Sequence, residues 1–231
     1  MIVLRTNGLG KSFTLHLQGS VTIPVLENVE LSVRAGECIA LTGPSGAGKS
    51  TLMRCLYGNY GAEAGSIHLR HRDAEIEMTA ADPRMMREIR RDTLGYVSQF
   101  LRVIPRVATR DIVAEPLIAR GTPRDAALAR ATELLRRLNL PDALHDLPPA
   151  TFSGGEQQRV NLARGFAAGH PIMLLDEPTA SLDAANAEVV IQLIQEAKAA
   201  GSALVGIFHD LPVRDRVADR LFTVEPIRKA A

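Results

Sequence analysis

The chain has 231 residues, 46% hydrophobic and 23% charged, with a formal net charge of +1. That length can bury a substantial core, and the balanced charge supplies no bulk basic field, so no nucleic-acid partner is expected. Cys38 and Cys55 are too few for a disulfide framework and read as buried, reduced thiols of a cytoplasmic protein. No charged leader opens the chain, and no apolar run reaches the length of a bilayer span.

In chain order, "IVLRTN" and "VTIPVLENVELSV" alternate apolar and polar residues and predict strands of an antiparallel sheet. "ECIALTG" is a buried strand running into the glycine-rich "GPSGAGKST", Gly43 to Thr51, and "KSTLMRCLYG" reads as the helix that follows. "GSIHLRHRDAEIEMT" predicts a hairpin turning near His71 to Asp73. A polar helix is expected from Pro83 to Arg91, its basic run "RMMREIRRD" forming a solvated face, ahead of the strand "TLGYVSQ". From Phe100 to Gly169 the pattern is helical. Thr122-Pro123-Arg124-Asp125 predicts a helix start with Thr122 as N-cap, followed by Leu128, Ala131, Leu134, Leu135 and Leu138 at helical spacing. "PIMLLDEP" and "ALVGIFHD" are strands flanking a helix whose inner face carries Val189, Val190, Leu193, Ile194 and Ala197. The expected fold is α/β, with a mostly parallel core sheet, an N-terminal antiparallel β subdomain and an inserted helical subdomain. Residues 1–99 and 170–231 would form the core with its β subdomain, and 100–169 the helical part.

Gly43 to Ser50 matches G-x-x-x-x-G-K-[ST] between a strand and a helix, the setting in which loop amides cradle phosphate. The chain has only four lysines, Lys11, Lys49, Lys198 and Lys229, which makes the one in this loop informative. Lys49 would neutralise β- and γ-phosphates, and Ser50 offers a hydroxyl to Mg²⁺. The strand "IMLLDE" delivers Asp176 to its carboxyl end to hold the Mg²⁺ shell, with Glu177 next to it to orient or deprotonate an attacking water. "TFSGGEQQRV" poses a separate problem. Ser153 and Glu156 have the spacing of a capping box, but Gly154 and Gly155 between them bare the first-turn amides and make a second anion cradle. The six histidines show no metal-ligand spacing.

The phosphate loop, "SGGE", "LLDEP", "SLD" and "FHD", in this order and spacing, resemble an ATP-binding cassette (ABC-type) ATPase over essentially the whole chain. The resemblance implies a P-loop NTPase fold, ATP and Mg²⁺ as ligands, and a head-to-tail dimer. In such a dimer Ser153, Gly154, Gly155 and Glu156 meet the γ-phosphate held by the other subunit, which gives the second cradle a purpose. It further implies that Pro44, Ser45, Gly46, Ala47, Gly48 and Thr51 line the nucleotide with Gly43, Lys49 and Ser50. Phe13 would stack on adenine, and Gln99 would reach both Mg²⁺ and the attacking water. Asp183 would link the two sites, and His209 would touch the γ-phosphate beside Glu177. Two positions depart from the common pattern: Phe152 stands for leucine and Glu156 for glutamine. We expect Glu156 to cap its helix through the backbone N–H of Ser153.

Within this family the chain looks most like an ATP-binding subunit of the phosphonate carbon–phosphorus lyase system, on "SQFLRVIPR" (Ser98 to Arg106), "TFSGGEQQRVNLARGF" (Thr151 to Phe166) and "GIFHD" (Gly206 to Asp210), with Asn161 and Gly165 as distinguishing residues. The partners this implies are a second ABC-type subunit, in a homodimer or heterodimer, and a soluble phosphonate-degrading complex. Phe100, Leu101, Val103 and Ile104, set among Arg102 and Arg106, would form the docking surface. Two alternatives are the ATPase of a membrane transporter, importing phosphonates or exporting, which would sit at the inner membrane with a permease, and a nucleotide-gated assembly factor with little turnover.

Overall fold

Period-two alternation in the first third of the chain builds the expected antiparallel sheet. The structure, a computed structural model, describes residues 1–15, 21–99, 101 and 105–227. Strand β1 (Ile2–Leu15) pairs antiparallel with β2 (Val21–Val29) on one side and β5 (Ala64–His71) on the other. β3 (Ser32–Arg34) also pairs with β1, and β6 (Ala74–Glu77) closes the order β2-β1-β5-β6. The β5–β6 hairpin turns at Arg72 and Asp73, with Arg72 in the left-handed region at φ 55°.

The second sheet is parallel throughout, in the order β10-β4-β9-β8-β7, with β4 (Cys38–Thr42), β7 (Leu94–Val97), β8 (Ile172–Asp176), β9 (Ala203–Ile207) and β10 (Arg220–Thr223). Every residue of β8 and β9 is buried, as continuous apolar runs require of strands covered on both faces. Successive side chains of a strand point to opposite faces. Ile172 and Leu174 therefore join one core, with Leu52 and Met53 of α1 (Lys49–Leu56) and Leu4 and Leu69 of the antiparallel sheet. Met173 and Leu175 join the other, with the helices that follow β7. Each fully buried leucine contributes on the order of 1.5–3 kcal/mol.

Between β7 and β8 lie α3 (Thr109–Ala119), α4 (Arg124–Arg137) and α5 (Gly154–Ala167). Val113, Ala131, Leu134, Leu135, Val160 and Ala163 fill their common interior. Thr122 does not cap α4 as its sequence suggests: Pro123 is the N-cap residue, and no side chain caps it. The cause is the tight turn out of α3. Thr122 N–H bonds back to Leu117 O at 3.0 Å, and Gly121 sits at φ 89°. That wrap holds Thr122 to the preceding helix.

Helix α2 (Pro83–Asp92) starts as expected, with Asp82 accepting from Arg84 N–H and Met85 N–H. Its basic face is only partly solvated. Arg90 reaches α1, donating to Tyr57 O and Gly58 O, and lies 4.7 Å from the Tyr57 ring centre. It thereby satisfies carbonyls at the end of α1, where a cation is favoured.

The remaining helices, α6 (Ala184–Ala199) and α7 (Leu211–Val217), flank β9 in sequence. On α6 the predicted inner face is found, with Val190, Leu193 and Ile194 buried and Val189 and Ala197 packed against the same core. Cys38 and Cys55 are buried and unpaired, and burial pushes the Cys38 thiol up to about 12 and the Cys55 thiol to about 11.

Candidate active site

The carboxyl ends of β4, β7, β8 and β9 meet at one edge of the parallel sheet, where ligands of open α/β sheets bind. From β4 the chain enters the loop Gly43 to Gly48. Gly43, Gly46 and Gly48 take φ of 130°, 79° and 99°, conformations that only glycine adopts without strain. The amides of Ser45, Gly46 and Gly48 have no acceptor among the described residues, whereas Ala47 N–H closes on Pro44 O at 3.2 Å. Such a curl of unspent donors at the start of α1 fits a phosphate chain. Lys49 Nζ is held over the loop by Gly43 O and Pro44 O at 2.8 and 3.0 Å, the carbonyls that phosphate oxygens would replace.

A groove lined by Gly43, Ser45, Gly46, Gly48, Lys49, Ser50, Thr51, Glu177 and His209 carries this loop. Ser50 belongs also to a neighbouring groove with Arg54, Tyr60, Tyr96, Gln99 and Asp176. Hydroxyl, amide and carboxylate oxygens of Ser50, Gln99 and Asp176 are hard donors that suit Mg²⁺ sharing a triphosphate. Asp176 is 5% exposed, and burial raises its pKa, an effect partly countered by the hydrogen bond from the Tyr96 hydroxyl at 3.0 Å.

Glu177 occupies the left-handed region at φ 54°. A non-glycine residue there stores strain and turns the side chain away from the strand direction. Its carboxylate is bracketed: Gln99 Nε2 donates to Oε2 at 3.1 Å, and His209 Nε2 lies 2.7 Å from Oε1. The three polar residues from the ends of β7, β8 and β9 thus converge on one point.

Other predicted residues lie elsewhere in the single chain. Phe13 lines neither groove; its ring meets Tyr60 edge-on, with centroids 5.2 Å apart. Asp183 caps α6, accepting from Asn186 N–H at 2.8 Å. Ser153 to Glu156 also stand outside both grooves. Here the capping box is complete: Ser153 N–H donates to Glu156 Oε2 at 2.8 Å, and Glu156 N–H donates to Ser153 Oγ at 3.3 Å. Hydrogen bonds from Ser153 hold the Glu156 carboxyl below its usual pKa. Ser153 and Gly154 are exposed.

Several residues escaped the sequence reading. Tyr96 lies in the strand "TLGYVSQ" and Arg54 in the helix "KSTLMRCLYG", and no motif marks either. Arg54 donates to Tyr60 OH at 2.7 Å. Gln158, buried in α5, donates to Pro178 O at 3.1 Å and ties the glycine turn's helix to the loop after Glu177. Asn161 donates to Ser98 O at 2.6 Å, next to Gln99, and Gly165 packs directly on Val97. The two residues singled out as subfamily markers therefore have local structural reasons.

The family model described as ABC transporter matches residues 26–180. The chain belongs to the ABC transporter ATP-binding family. As an ABC ATPase it acts on ATP with Mg²⁺. It is 41% identical over 209 residues to the lipoprotein-releasing system ATP-binding protein LolD of Novosphingobium aromaticivorans, covering 90% of each chain. It is 37% identical to a probable export ATP-binding/permease protein of Pseudomonas fluorescens, over 96% of this chain but 33% of that one. The ABC ATPase thus spans about a third of the length of the export relatives it matches. Among solved structures, the dimeric ATP-binding cassette MJ0796, in a post-hydrolysis state bound to ADP and Pi, matches with a TM-score of 0.86 and 29% identity, covering 96% and 94% of the two chains. The fold expected of an ABC-type ATPase is therefore the fold observed. No helix among the described residues is long and apolar enough to cross a membrane.

Proposed function

We propose that this ABC ATPase is a dimerising switch that closes around two ATP molecules and passes the motion to a partner. One observation carries the reading: Ser153 and Gly154 of the glycine turn are exposed and stand apart from the chain's own phosphate groove, so the turn is free to meet a nucleotide held by a second copy. In this reading the loop amides and Lys49 hold the phosphates, while Ser50, Gln99 and Asp176 hold the metal, which neutralises phosphate charge. Glu177, oriented by Gln99 and His209, positions the attacking water and takes its proton. Phe13 stacks on the base, and Asp183 links the paired sites. Residues 1–99 and 170–231 form the core, and 100–169 the lobe that carries the glycine turn. With ATP, a Glu177→Gln variant should run as a dimer in size exclusion, and adding Gly154→Asp should return it to monomer without changing ATP affinity. A chain that stays monomeric with ATP, or a Gly154→Asp variant that still dimerises, overturns the model.

The relatives are export and lipoprotein-release ATPases, which supports a membrane permease as the partner and a cytoplasmic position against the inner membrane. They give no support to the phosphonate carbon–phosphorus lyase system. That second reading rests on "SQFLRVIPR", "TFSGGEQQRVNLARGF" and "GIFHD"; Asn161 and Gly165 also have packing roles of their own, and Phe100, Arg102, Val103 and Ile104 lie outside the described residues. A pull-down from the native host separates the two, since permease subunits and soluble phosphonate-degrading subunits are different captures. Arg102→Ala with Arg106→Ala should weaken either capture while ATP affinity holds. The bracketing of Glu177 argues against an assembly factor with little turnover.

A further inference from the structure

Asp176 poses a physical problem that the motif does not solve. Asp176 is 5% exposed at the end of β8, and burying a carboxylate is costly unless it is hydrogen-bonded. The bond it receives comes from a residue 80 positions away: Tyr96 OH donates to Oδ2 at 3.0 Å. β7 and β8 are neighbours with Tyr96 opposite Leu174, so the phenol reaches along the sheet to the strand end. Its ring is held in turn, lying 4.9 Å from the ring of Tyr57 at the end of α1. Tyr96 also shares the groove of Ser50, Gln99 and Asp176.

We infer that Tyr96 is a positioning residue that fixes the Asp176 carboxylate for metal binding. A carboxylate has about four lone-pair sites. The phenol takes one on Oδ2, setting the rotamer of the side chain and leaving Oδ1 with its full complement for the metal shell. Because the tyrosine is anchored on α1, it also couples the position of Asp176 to the helix that carries Ser50. This inference rests on the proposed metal role of Asp176.

The test reads metal-dependent binding rather than turnover, in the Glu177→Gln background. Titrating Mg²⁺ against a fluorescent ATP analogue gives the half-saturating metal concentration, and the analogue with chelator gives the metal-free affinity. Tyr96→Phe keeps the ring on Tyr57 and removes only the hydroxyl. It should raise half-saturating Mg²⁺ about three- to tenfold, the size expected for losing one ordinary net hydrogen bond, and leave metal-free affinity unchanged. Tyr57→Phe, which removes a hydroxyl from the neighbouring ring, should shift nothing. Superimposable Mg²⁺ titrations for Tyr96→Phe and its parent overturn the inference, as does an equal shift from Tyr57→Phe. If the parent itself binds nucleotide without regard to Mg²⁺, the metal role of Asp176 is wrong instead.

Discussion

Gly165 of α5 faces Val97 of β7 so closely that a β-carbon on the glycine would lie 2.2 Å from Val97 Cγ2. That approach seats the helix carrying Ser153 directly against the strand that leads to Gln99, and Asn161, one turn earlier, bonds the Ser98 carbonyl between them. The two markers of this chain thus join the glycine turn's helix to the nucleotide groove.

Gly165→Ala should destabilise the fold by roughly 1–3 kcal/mol, the usual result of forcing a methyl into a packed contact. Urea unfolding of the variant and its parent measures this. A midpoint identical to the parent's would mean that α5 can retreat from β7 at no cost.

Gln158→Ala leaves the buried Pro178 carbonyl without its donor. A loss of about 1–3 kcal/mol in unfolding free energy is expected for such a group. Because the tie runs from the glycine turn's helix to the loop beyond Glu177, ATP turnover should fall several-fold while monomer ATP affinity stays constant. Steady-state hydrolysis and equilibrium binding, measured side by side, check the split.

Glu156→Gln tests whether the carboxylate in the glycine turn opposes nucleotide or only caps its helix. Glutamine serves at the same capping-box position, and Glu156 already accepts both Ser153 N–H and Ser153 Oγ–H. ATP-driven dimerisation should therefore change by less than about threefold. A large gain in dimer would show that the carboxylate repels the partner's triphosphate.

His170 gives an acid-side prediction. It is buried, with Nε2 against Arg91 O at 3.2 Å and Nδ1 without a partner, close over Gly95. Burial lowers its pKa below the ordinary 6.5; Arg120 adds to the shift and Asp92 opposes it. Above that value the ring is neutral in both folded and unfolded chains. Below it the unfolded chain takes up the proton first, so stability falls as pH drops. His170→Gln keeps a donor toward Arg91 O and removes the titration. Its stability relative to the parent should rise between about pH 8 and pH 5.5, read from urea midpoints. A constant difference across that range would mean that His170 titrates alike in the folded and unfolded chains.

Local chemistry was enough to place the features whose partners are near in sequence. The phosphate loop, the acid at the end of an apolar strand and the Ser153–Glu156 box are each specified within a few residues, because a glycine dihedral or a cap bond involves only its immediate neighbours. Even there, one short-range reading failed: Thr122 was claimed by the end of α3, an outcome set by how the two helices are joined. What only the tertiary structure decided was the choice of neighbours for β7. Its pairing with β8 sets Tyr96 on Asp176, its seat under α5 demands a glycine at 165, and the meeting of β7, β8 and β9 brackets Glu177 between Gln99 and His209. These contacts join residues from tens of positions apart, and apolar periodicity shows that a strand is buried without showing which strand lies beside it.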